Sequence, residues 1–217
     1  MDITYLGHSS FKIKTKTATV ITDPFPNEIG IKFAKTEADI VTVSHQQHND
    51  HNNVEAVTGT KKVITGPGEY EVMGVSVIGL SSYHDNEKGA VRGKNTIYVF
   101  EADKLRIAHL GDLGHELTDD LVDQMGSIDI LMIPVGGDYT IGPKEASVLI
   151  SKVDPYFVLP MHYKAPGLDE KVFEKLEPVE SFLKESGLIS ENLPKLSIKK
   201  EEIMEDHNTK AIVLERK

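Results

Sequence analysis

The chain has 217 residues, of which 39% are hydrophobic and 27% charged, a composition typical of one soluble globular domain with a deep core. Its formal net charge of −10 repels phosphate backbones at long range, which disfavours a nucleic acid as a partner. The absence of cysteine excludes disulfides, thiolate metal ligands and a cysteine nucleophile. Because no apolar stretch is long enough to cross a bilayer and the N-terminus lacks a signal-peptide pattern, we expect a cytoplasmic protein without a membrane partner.

Short runs rich in β-branched residues, bounded by turn residues, predict a chain dominated by β-strands. In chain order the predicted strands are 2–7, 11–15, 18–24, 39–44, 61–65, 69–72, 75–80, 96–101, 105–110, 128–135 and 156–160, followed by a terminal hairpin of 196–200 and 211–215. A glycine at the C-terminal end predicts a helix at 115–126, a proline at the N-terminal end predicts one at 143–153, and both signals predict one at 177–187. A short helix is also expected at 52–57.

The order of these elements favours an α/β fold in one domain spanning residues 1–217. A strand-rich first half with helices is followed by a similar second half from about residue 101. Two sheets packed face to face with helices outside would accommodate both halves, each burying the apolar face of its sheet.

Metal-ligand side chains are concentrated directly after the fourth predicted strand. The segment SHQQHNDHNN at 44–53 contains three of the nine histidines and one aspartate. Imidazole nitrogen and carboxylate oxygen are ligands for zinc, iron and manganese. Four such side chains are too many for one tetrahedral ion with an open position, so the segment predicts two ions sharing one loop. The four are His45, His48, Asp50 and His51.

A site with two ions needs further ligands from other parts of the chain. His84, Asp112 and His162 each follow a predicted strand, in the contexts SSYHDNEKG, AHLGDLG and VLPMHYK. Loops at strand ends build active sites in layered α/β folds, so we expect these three side chains to join the cluster.

Several short motifs occur in a characteristic order over roughly residues 1–165: GHSSF at 7–11, DP at 23–24, SHQQHNDH at 44–51, His84, GD at 111–112 and PMHY at 160–163. Together they resemble the metallo-β-lactamase fold superfamily of metal-dependent hydrolases. More narrowly, they resemble the branch similar to ascorbate-6-phosphate lactonases. The resemblance implies a four-layer αββα sandwich with the site at one edge of the two sheets.

The resemblance also implies how the ligands divide between two divalent ions. Three histidines would hold the first ion, three residues would hold the second, and one aspartate would bridge them. In that order they are His45, His48 and His84; Asp50, His51 and His162; and Asp112. A hydroxide between the ions would be the nucleophile, because divalent ions lower the pKa of bound water towards neutrality. Zinc is the favoured metal, and manganese and iron stay possible alternatives. The catalytic residues would be Asp50 and Asp112.

One departure from the family pattern concerns the first ion. The family cluster runs His-x-His-x-Asp-His, whereas here His45 and His48 are separated by two glutamines. Either a bulge absorbs the extra residue and His45 still binds, or Gln46 takes the first ligand's position. We favour His45, because glutamine is the poorer zinc ligand.

Four further residues are candidates for supporting roles. His8 either lies near the site or is a buried histidine that orients a loop. Asp23 is expected to accept a hydrogen bond from a ligand imidazole. Arg92 either binds a substrate phosphate or carboxylate or is solvated. Tyr163 either donates a hydrogen bond to an oxyanion or only packs.

The sequence therefore predicts a metal-dependent hydrolase that attacks an ester, lactone or phosphodiester bond in a small molecule. Two alternatives stay open: a phosphodiesterase or nuclease, and a non-catalytic binding protein whose first metal site is degraded. Metal content separates the binding protein from the enzymes, and a substrate panel separates the two enzyme classes. Small members of this fold often self-associate, so a homo-oligomer is also among the expectations.

Overall fold

The computed structural model describes residues 1–47, 50–203 and 208–217. Within these residues the strands are β1 (Asp2–Gly7), β2 (Ser10–Lys14), β3 (Thr19–Thr22), β4 (Thr36–Glu37), β5 (Ile40–Val43), β6 (Val57–Thr58), β7 (Lys62–Thr65), β8 (Gly68–Val72), β9 (Val75–Tyr83), β10 (Lys94–Ala102), β11 (Leu105–His109), β12 (Ile130–Pro134), β13 (Phe157–Met161), β14 (Ile189–Leu193), β15 (Leu196–Ser197) and β16 (Lys210–Leu214). The α-helices are α1 (Asp119–Met125), α2 (Pro143–Val153), α3 (Glu170–Phe173) and α4 (Val179–Ser186). Single 3₁₀ turns occupy Asn27–Ile29, Val54–Ala56 and Lys200–Glu202.

The strands form two large mixed sheets and one small ribbon. The first sheet has six strands in the order β15-β1-β2-β3-β5-β7, and the second has eight in the order β14-β16-β13-β12-β11-β10-β9-β8. Strands β4 and β6 pair separately. β3 pairs with β5, β11 with β12 and β12 with β13 in parallel, which aligns the carboxyl ends of these strands within each sheet.

A shared hydrophobic core joins the two sheets. Val20 and Ile40 of the six-stranded sheet belong to the same buried cluster as Val77 and Ile107 of the eight-stranded sheet. The phenol of Tyr98 links them further, because it accepts a hydrogen bond from the Gly66 N–H (2.8 Å) and donates to the Val43 carbonyl (2.9 Å). These bonds fix the end of β5, from which the histidine-rich segment departs.

Helices and loops cover the outer face of each sheet. Buried residues of α2 and α4, such as Leu149 and Phe182, extend the shared core on the side of the eight-stranded sheet. A second cluster covers the six-stranded sheet, where Phe25 and Phe173 pack with Val41. The α/β sandwich with outer helices that the sequence predicts is confirmed.

The C-terminal segments differ from the predicted hairpin, which is wrong. β15 pairs with β1 in the six-stranded sheet, whereas β16 pairs with β13 and β14 in the eight-stranded sheet. Both segments are short and apolar on one face, a pattern that identifies a strand without identifying the sheet edge that it completes. α1 also begins later than predicted, at Asp119, because the Thr118 side chain caps it by accepting from Leu121 N.

The chain passes from the first sheet to the second between β7 and β8. Residue 101 lies within β10, which pairs with β11 as an antiparallel neighbour in one sheet, so the change of sheet lies well before the predicted division between halves. A single domain over residues 1–217 stays a prediction. Across the described ranges 1–47, 50–203 and 208–217, no helix has the length and apolar character needed to span a membrane.

Candidate metal centre

Ligand-type side chains from the ends of several strands converge at one edge of the sandwich. His45 lies two residues beyond β5, His84 directly follows β9 and His162 directly follows β13. Asp112 lies three residues beyond β11. All four residues are buried, with at most 4% of their surface exposed. The structure thus brings together side chains that the sequence separates by more than a hundred positions.

The carboxylate of Asp112 lies at the centre of this cluster. Its Oδ2 atom is 3.3 Å from the Nε2 atom of each of three imidazoles, those of His51, His84 and His162. The Nε2 atom of His45 is slightly farther away, at 3.9 Å. Two atoms bound at about 2.0–2.1 Å to one tetrahedral zinc ion are roughly 3.3–3.4 Å apart. The spacing around Asp112 therefore suits ligands that share an ion.

Asp50 provides a second carboxylate within the same cluster. Its oxygens lie 3.7 Å from His45 Nε2, 3.8 Å from His51 Nε2 and 3.9 Å from His8 Nε2. Three groups of side chains have ligand atoms that all lie within 4.8 Å of one another. The groups are His45, His84 and Asp112; His45, Asp50 and His51; and His8, His51 and His162.

Several buried polar atoms of the cluster have no hydrogen-bond partner within the described part of the chain. They include Asp112 Oδ2, Asp50 Oδ1 and His51 Nε2. Burying such atoms without compensation is energetically costly, and it is rare in folded proteins. Imidazole nitrogens and carboxylate oxygens directed into one space are the donors that zinc, manganese or iron takes up. The residues present therefore fit a divalent transition-metal ion.

Asp23 and Ser44 hold two of the histidines in orientation. Asp23 accepts hydrogen bonds from the backbone N–H of Ser44 (2.7 Å) and from its hydroxyl (2.8 Å), and Asp23 Oδ2 lies 3.3 Å from His51 Nδ1. The Ser44 oxygen is 3.1 Å from His45 Nδ1. The Ser44 hydroxyl donates its proton to Asp23, so its oxygen can only accept a hydrogen bond from His45. His45 Nδ1 therefore carries the proton, and the lone pair of the ring is on Nε2. Asp23 thus lies beside both histidines, and its support of a metal ligand stays a prediction.

The carboxylates and imidazoles of the cluster shift one another's pKa values. Burial alone would raise the pKa of Asp112, but the imidazoles of His162 and His51 hold it well below its usual range. Burial alone would lower the pKa of His51, whereas the carboxylates of Asp112 and Asp50 raise it well above its usual value. Burial, helped by His162, lowers the pKa of His8 to about 4. Asp112 is therefore ionised, and His8 neutral, at pH 7.

A glycine and an asparagine place Asp112 at the end of β11. Gly111 has a φ of +56°, and a Cβ atom there would lie 2.4 Å from Asn95 Oδ1, so only glycine fits. The same Asn95 oxygen accepts a hydrogen bond from the Asp112 backbone N–H (3.0 Å), and its amide donates to the Leu110 carbonyl (2.9 Å). The sequence prediction missed Asn95, because a strand asparagine carries no signal of a partner 17 residues away.

Of the other residues that the sequence analysis named, only some lie in the cluster. His8 joins the cluster, with its ring centroid 4.3 Å from that of His162. Tyr163 instead packs in the core against Tyr5, at a ring separation of 6.3 Å. Gln46 is exposed whereas His45 is buried among the imidazoles. His48 lies outside the described residues.

A cavity of about 290 Å³ opens onto Asp50, His84 and Asp112. Its other lining residues are Pro26, Glu28, Ile29, Arg92, Tyr139, Val172 and Phe173. The Arg92 guanidinium lies 4.5 Å from the centre of the Tyr139 ring, and the Tyr139 hydroxyl donates to the Val172 carbonyl (2.8 Å). Within the described residues, Arg92 forms no ion pair with a carboxylate. Its charge is therefore available at the cavity.

The loop that carries Arg92 is organised by Asp85, which the sequence prediction did not select. The Asp85 carboxylate accepts hydrogen bonds from the backbone N–H groups of Glu87, Gly89, Val91 and Arg92, at 2.6–3.0 Å. Burial alone would raise its pKa, but these four donors lower it to about 2. An aspartate that begins a glycine-containing loop is typical of such side-chain-to-backbone turns, and this signal was present in DNEKG.

Comparisons with known proteins agree with this fold and with a metal-dependent activity. The family described as "Beta-lactamase superfamily domain" matches residues 2–162. A crystal structure from Thermotoga maritima, described as a putative Zn-dependent hydrolase of the metallo-β-lactamase superfamily, is 36% identical, with a TM-score of 0.78 and 99% of each chain covered. A metal-dependent hydrolase of the UPF0173 family from Thermococcus onnurineus is 29% identical, over 80% of this chain and 91% of its own.

A metallo hydrolase from Ignicoccus hospitalis shares the fold. It is 19% identical, with a TM-score of 0.65, over 86% of this chain and 90% of its own. The narrower resemblance to ascorbate-6-phosphate lactonases stays a prediction. Family match, fold and donor set together lead to one conclusion: the chain belongs to the metallo-β-lactamase superfamily and is a metal-dependent hydrolase.

Proposed function

We propose that this protein hydrolyses an ester, lactone or phosphodiester bond in a small molecule by means of two divalent ions. The observation that carries the proposal is the position of Asp112 Oδ2, 3.3 Å from three imidazoles that come from the ends of strands in both sheets. One carboxylate oxygen among so many imidazole nitrogens suits a bridge between two ions.

The ligands divide between the two ions as the family resemblance implies. His45 and His84, with His48 from outside the described residues, would hold the first ion. Asp50, His51 and His162 would hold the second, and Asp112 would be shared. Zinc is favoured by the number of imidazoles, and manganese or iron would accept the same donors. When bound, the ions supply a water of lowered pKa and polarise the oxygen of the scissile bond.

The chain's own residues position the substrate and the ligands. Asp23 and Ser44 hold His51 and His45 in orientation. Ile29 and Phe173 give the cavity beside Asp50 and Asp112 an apolar wall against which a substrate can pack. We assign to Arg92 the binding of an anionic group on the substrate, because its guanidinium is held over Tyr139 and has no carboxylate partner among the described residues.

A panel of substrates tests the type of bond. Metal-loaded protein would be assayed with aryl esters, lactones and bis-(p-nitrophenyl) phosphate, each ester and lactone in a neutral and a carboxylate-bearing form. We expect turnover of carboxylate-bearing esters or lactones, with chelator-treated protein as the inactive control. Turnover of the phosphodiester alone would favour the phosphodiesterase alternative. A protein that binds two ions and hydrolyses none of these classes would contradict the proposal and favour the binding-protein alternative.

Replacing Arg92 by methionine should raise KM for a carboxylate-bearing substrate by about 10–100-fold, since a hydrogen bond to a charged group is worth roughly 1.5–3 kcal/mol. The kcat value should change little, because Arg92 binds a part of the substrate away from the ions. Lys94→Met is the matched control, because Lys94 is exposed at the start of β10 and its loss removes the same charge. Equal effects of the two variants would show that only long-range charge matters and would contradict the role of Arg92.

A further inference from the structure

His8 is a buried histidine that is not one of the seven proposed metal ligands. It lies in the turn between β1 and β2 and is only 2% exposed. Neither of its ring nitrogens forms a hydrogen bond within residues 1–47, 50–203 and 208–217. A buried imidazole that only filled space would leave two polar atoms uncompensated, which folded proteins rarely tolerate. A partner that the polypeptide does not provide is therefore expected.

The surroundings of His8 identify the kind of partner. Its ring lies 4.3 Å from that of His162 and 4.8 Å from that of His51, and its Nε2 atom is 3.9 Å from Asp50 Oδ2. The ligand atoms of His8, His51 and His162 all lie within 4.8 Å of one another. Phe173, whose ring is 5.1 Å from that of His8, lines the substrate cavity, whereas His8 does not. His8 therefore faces the other imidazoles rather than the substrate.

The backbone holds His8 in this place at a steric cost. His8 has a φ of +54° and His162 a φ of +52°, a left-handed conformation that is uncommon for residues other than glycine, although histidine, asparagine and aspartate adopt it more often than most. The His8 carbonyl accepts hydrogen bonds from the His162 N–H and from the Tyr5 hydroxyl, both at 2.9 Å. Two turns with a positive φ are thus joined by a hydrogen bond at the point where their imidazoles meet.

We propose that His8 is an additional protein ligand of the second ion, together with His51 and His162. The inference rests on the proposed two-ion function and deepens it. A third imidazole beside the carboxylates of Asp50 and Asp112 makes the second site rich in nitrogen donors. Such a site should prefer zinc over manganese, because oxygen donors suit manganese and imidazole suits zinc.

Two variants that tolerate a positive φ test this role. His8→Gly removes the whole side chain, and His8→Asn keeps a polar side chain of a residue type that adopts the left-handed conformation. We expect each variant to bind the second zinc ion at least about 100-fold more weakly while the first ion is retained, because even the loss of a residue that only supports a ligand costs roughly 10–100-fold. Its preference for zinc over manganese should fall. Chelator competition with elemental analysis measures both quantities without an activity assay.

Tyr5→Phe is the matched control. It removes the hydrogen bond from the Tyr5 hydroxyl to the His8 carbonyl and leaves the imidazole in place. We expect it to weaken zinc binding by less than about tenfold, below the roughly 10–100-fold range of a supporting residue. Added imidazole should restore zinc binding to His8→Gly, because it can fill the space that the side chain leaves. Imidazole has no such effect on a variant that merely distorts the turn.

The outcomes separate this inference from the function on which it rests. If the unsubstituted protein binds no ion after loading, the proposed function itself fails. If it binds two ions and both His8 variants bind the second ion as tightly as before, the ligand role of His8 alone is overturned. A loss that equals that of Tyr5→Phe and does not respond to imidazole would also overturn it, because it would assign His8 a positioning role.

Discussion

Replacement of Asp112 by alanine is expected to lower kcat/KM by at least about 10³-fold, since stabilisation of charge by bound ions is worth several kcal/mol and each 1.36 kcal/mol is a factor of ten. The variant removes the oxygen that lies 3.3 Å from three imidazoles, and with it the bridge between the proposed ions. The fold should persist, because the backbone N–H of residue 112 can still donate to Asn95.

The matched control for this variant is Asp129→Ala. Asp129 is also a buried aspartate, but it accepts from the Arg106 N–H (2.8 Å) and pairs with Lys200 (2.7 Å), away from the cluster. Its replacement should lower the free energy of unfolding and leave kcat/KM nearly unchanged. Steady-state kinetics of both variants after metal loading, and urea unfolding of both variants without metal, measure the two effects. Near-normal turnover by Asp112→Ala would rule out the mechanism with two ions.

Asp23→Asn is expected to have the second-largest effect, on metal affinity and on stability together. Asparagine tolerates the φ of +41° at this position, so the backbone should be unchanged. An amide cannot accept hydrogen bonds at both ends. Either the Ser44 backbone N–H, which Oδ1 now accepts, loses its acceptor, or the Ser44 hydroxyl and His51 Nδ1, which share Oδ2, lose theirs. We expect zinc affinity to fall by about 10–100-fold and the free energy of unfolding to fall by roughly 1–3 kcal/mol.

Asp39→Asn is the control for the second variant. Asp39 belongs to the same sheet region, accepts from the Thr19 N–H (2.9 Å) and pairs with Lys61 (2.9 Å) outside the cluster. It should lose a small part of the free energy of unfolding and none of the zinc affinity. Chelator competition and urea unfolding give both values. An Asp23 variant with unchanged zinc affinity would show that this carboxylate does not support the ligands.

Local patterns were sufficient to predict most strands and several of the side chains that the structure brings together at the candidate site. A period of two identified β1, in which buried and partly exposed residues alternate, whereas short runs of β-branched and apolar residues identified β5 and β12, which are buried along their whole length. The partner of a strand is a long-range property, which explains why β15 and β16 were wrongly joined in a hairpin. The short helix α3, with only four residues, has too few positions to show a helical period.

The residues of the site also fall into two groups: those that the sequence could indicate and those that it could not. Ligand types are chemically distinctive and lie at strand ends, so the sequence could select His84, Asp112 and His162 before their proximity was known. Residues that only position other residues have no distinctive chemistry or place in the sequence. Asn95 acts through one hydrogen bond to the Asp112 backbone, and Tyr139 acts through its stacking with Arg92. Contacts of this kind follow from the packing of distant segments and leave no local pattern.

The most direct test of the central claim is the number of metal ions bound per chain. Protein purified without chelators, and then supplied with zinc, would be freed of excess metal and measured by elemental analysis together with its concentration. Two ions per chain are the result that the donor set of five histidines and two aspartates predicts. One ion or none after zinc has been supplied would contradict the two-ion site. It would mean that the extra residue between His45 and His48 has dismantled the first position.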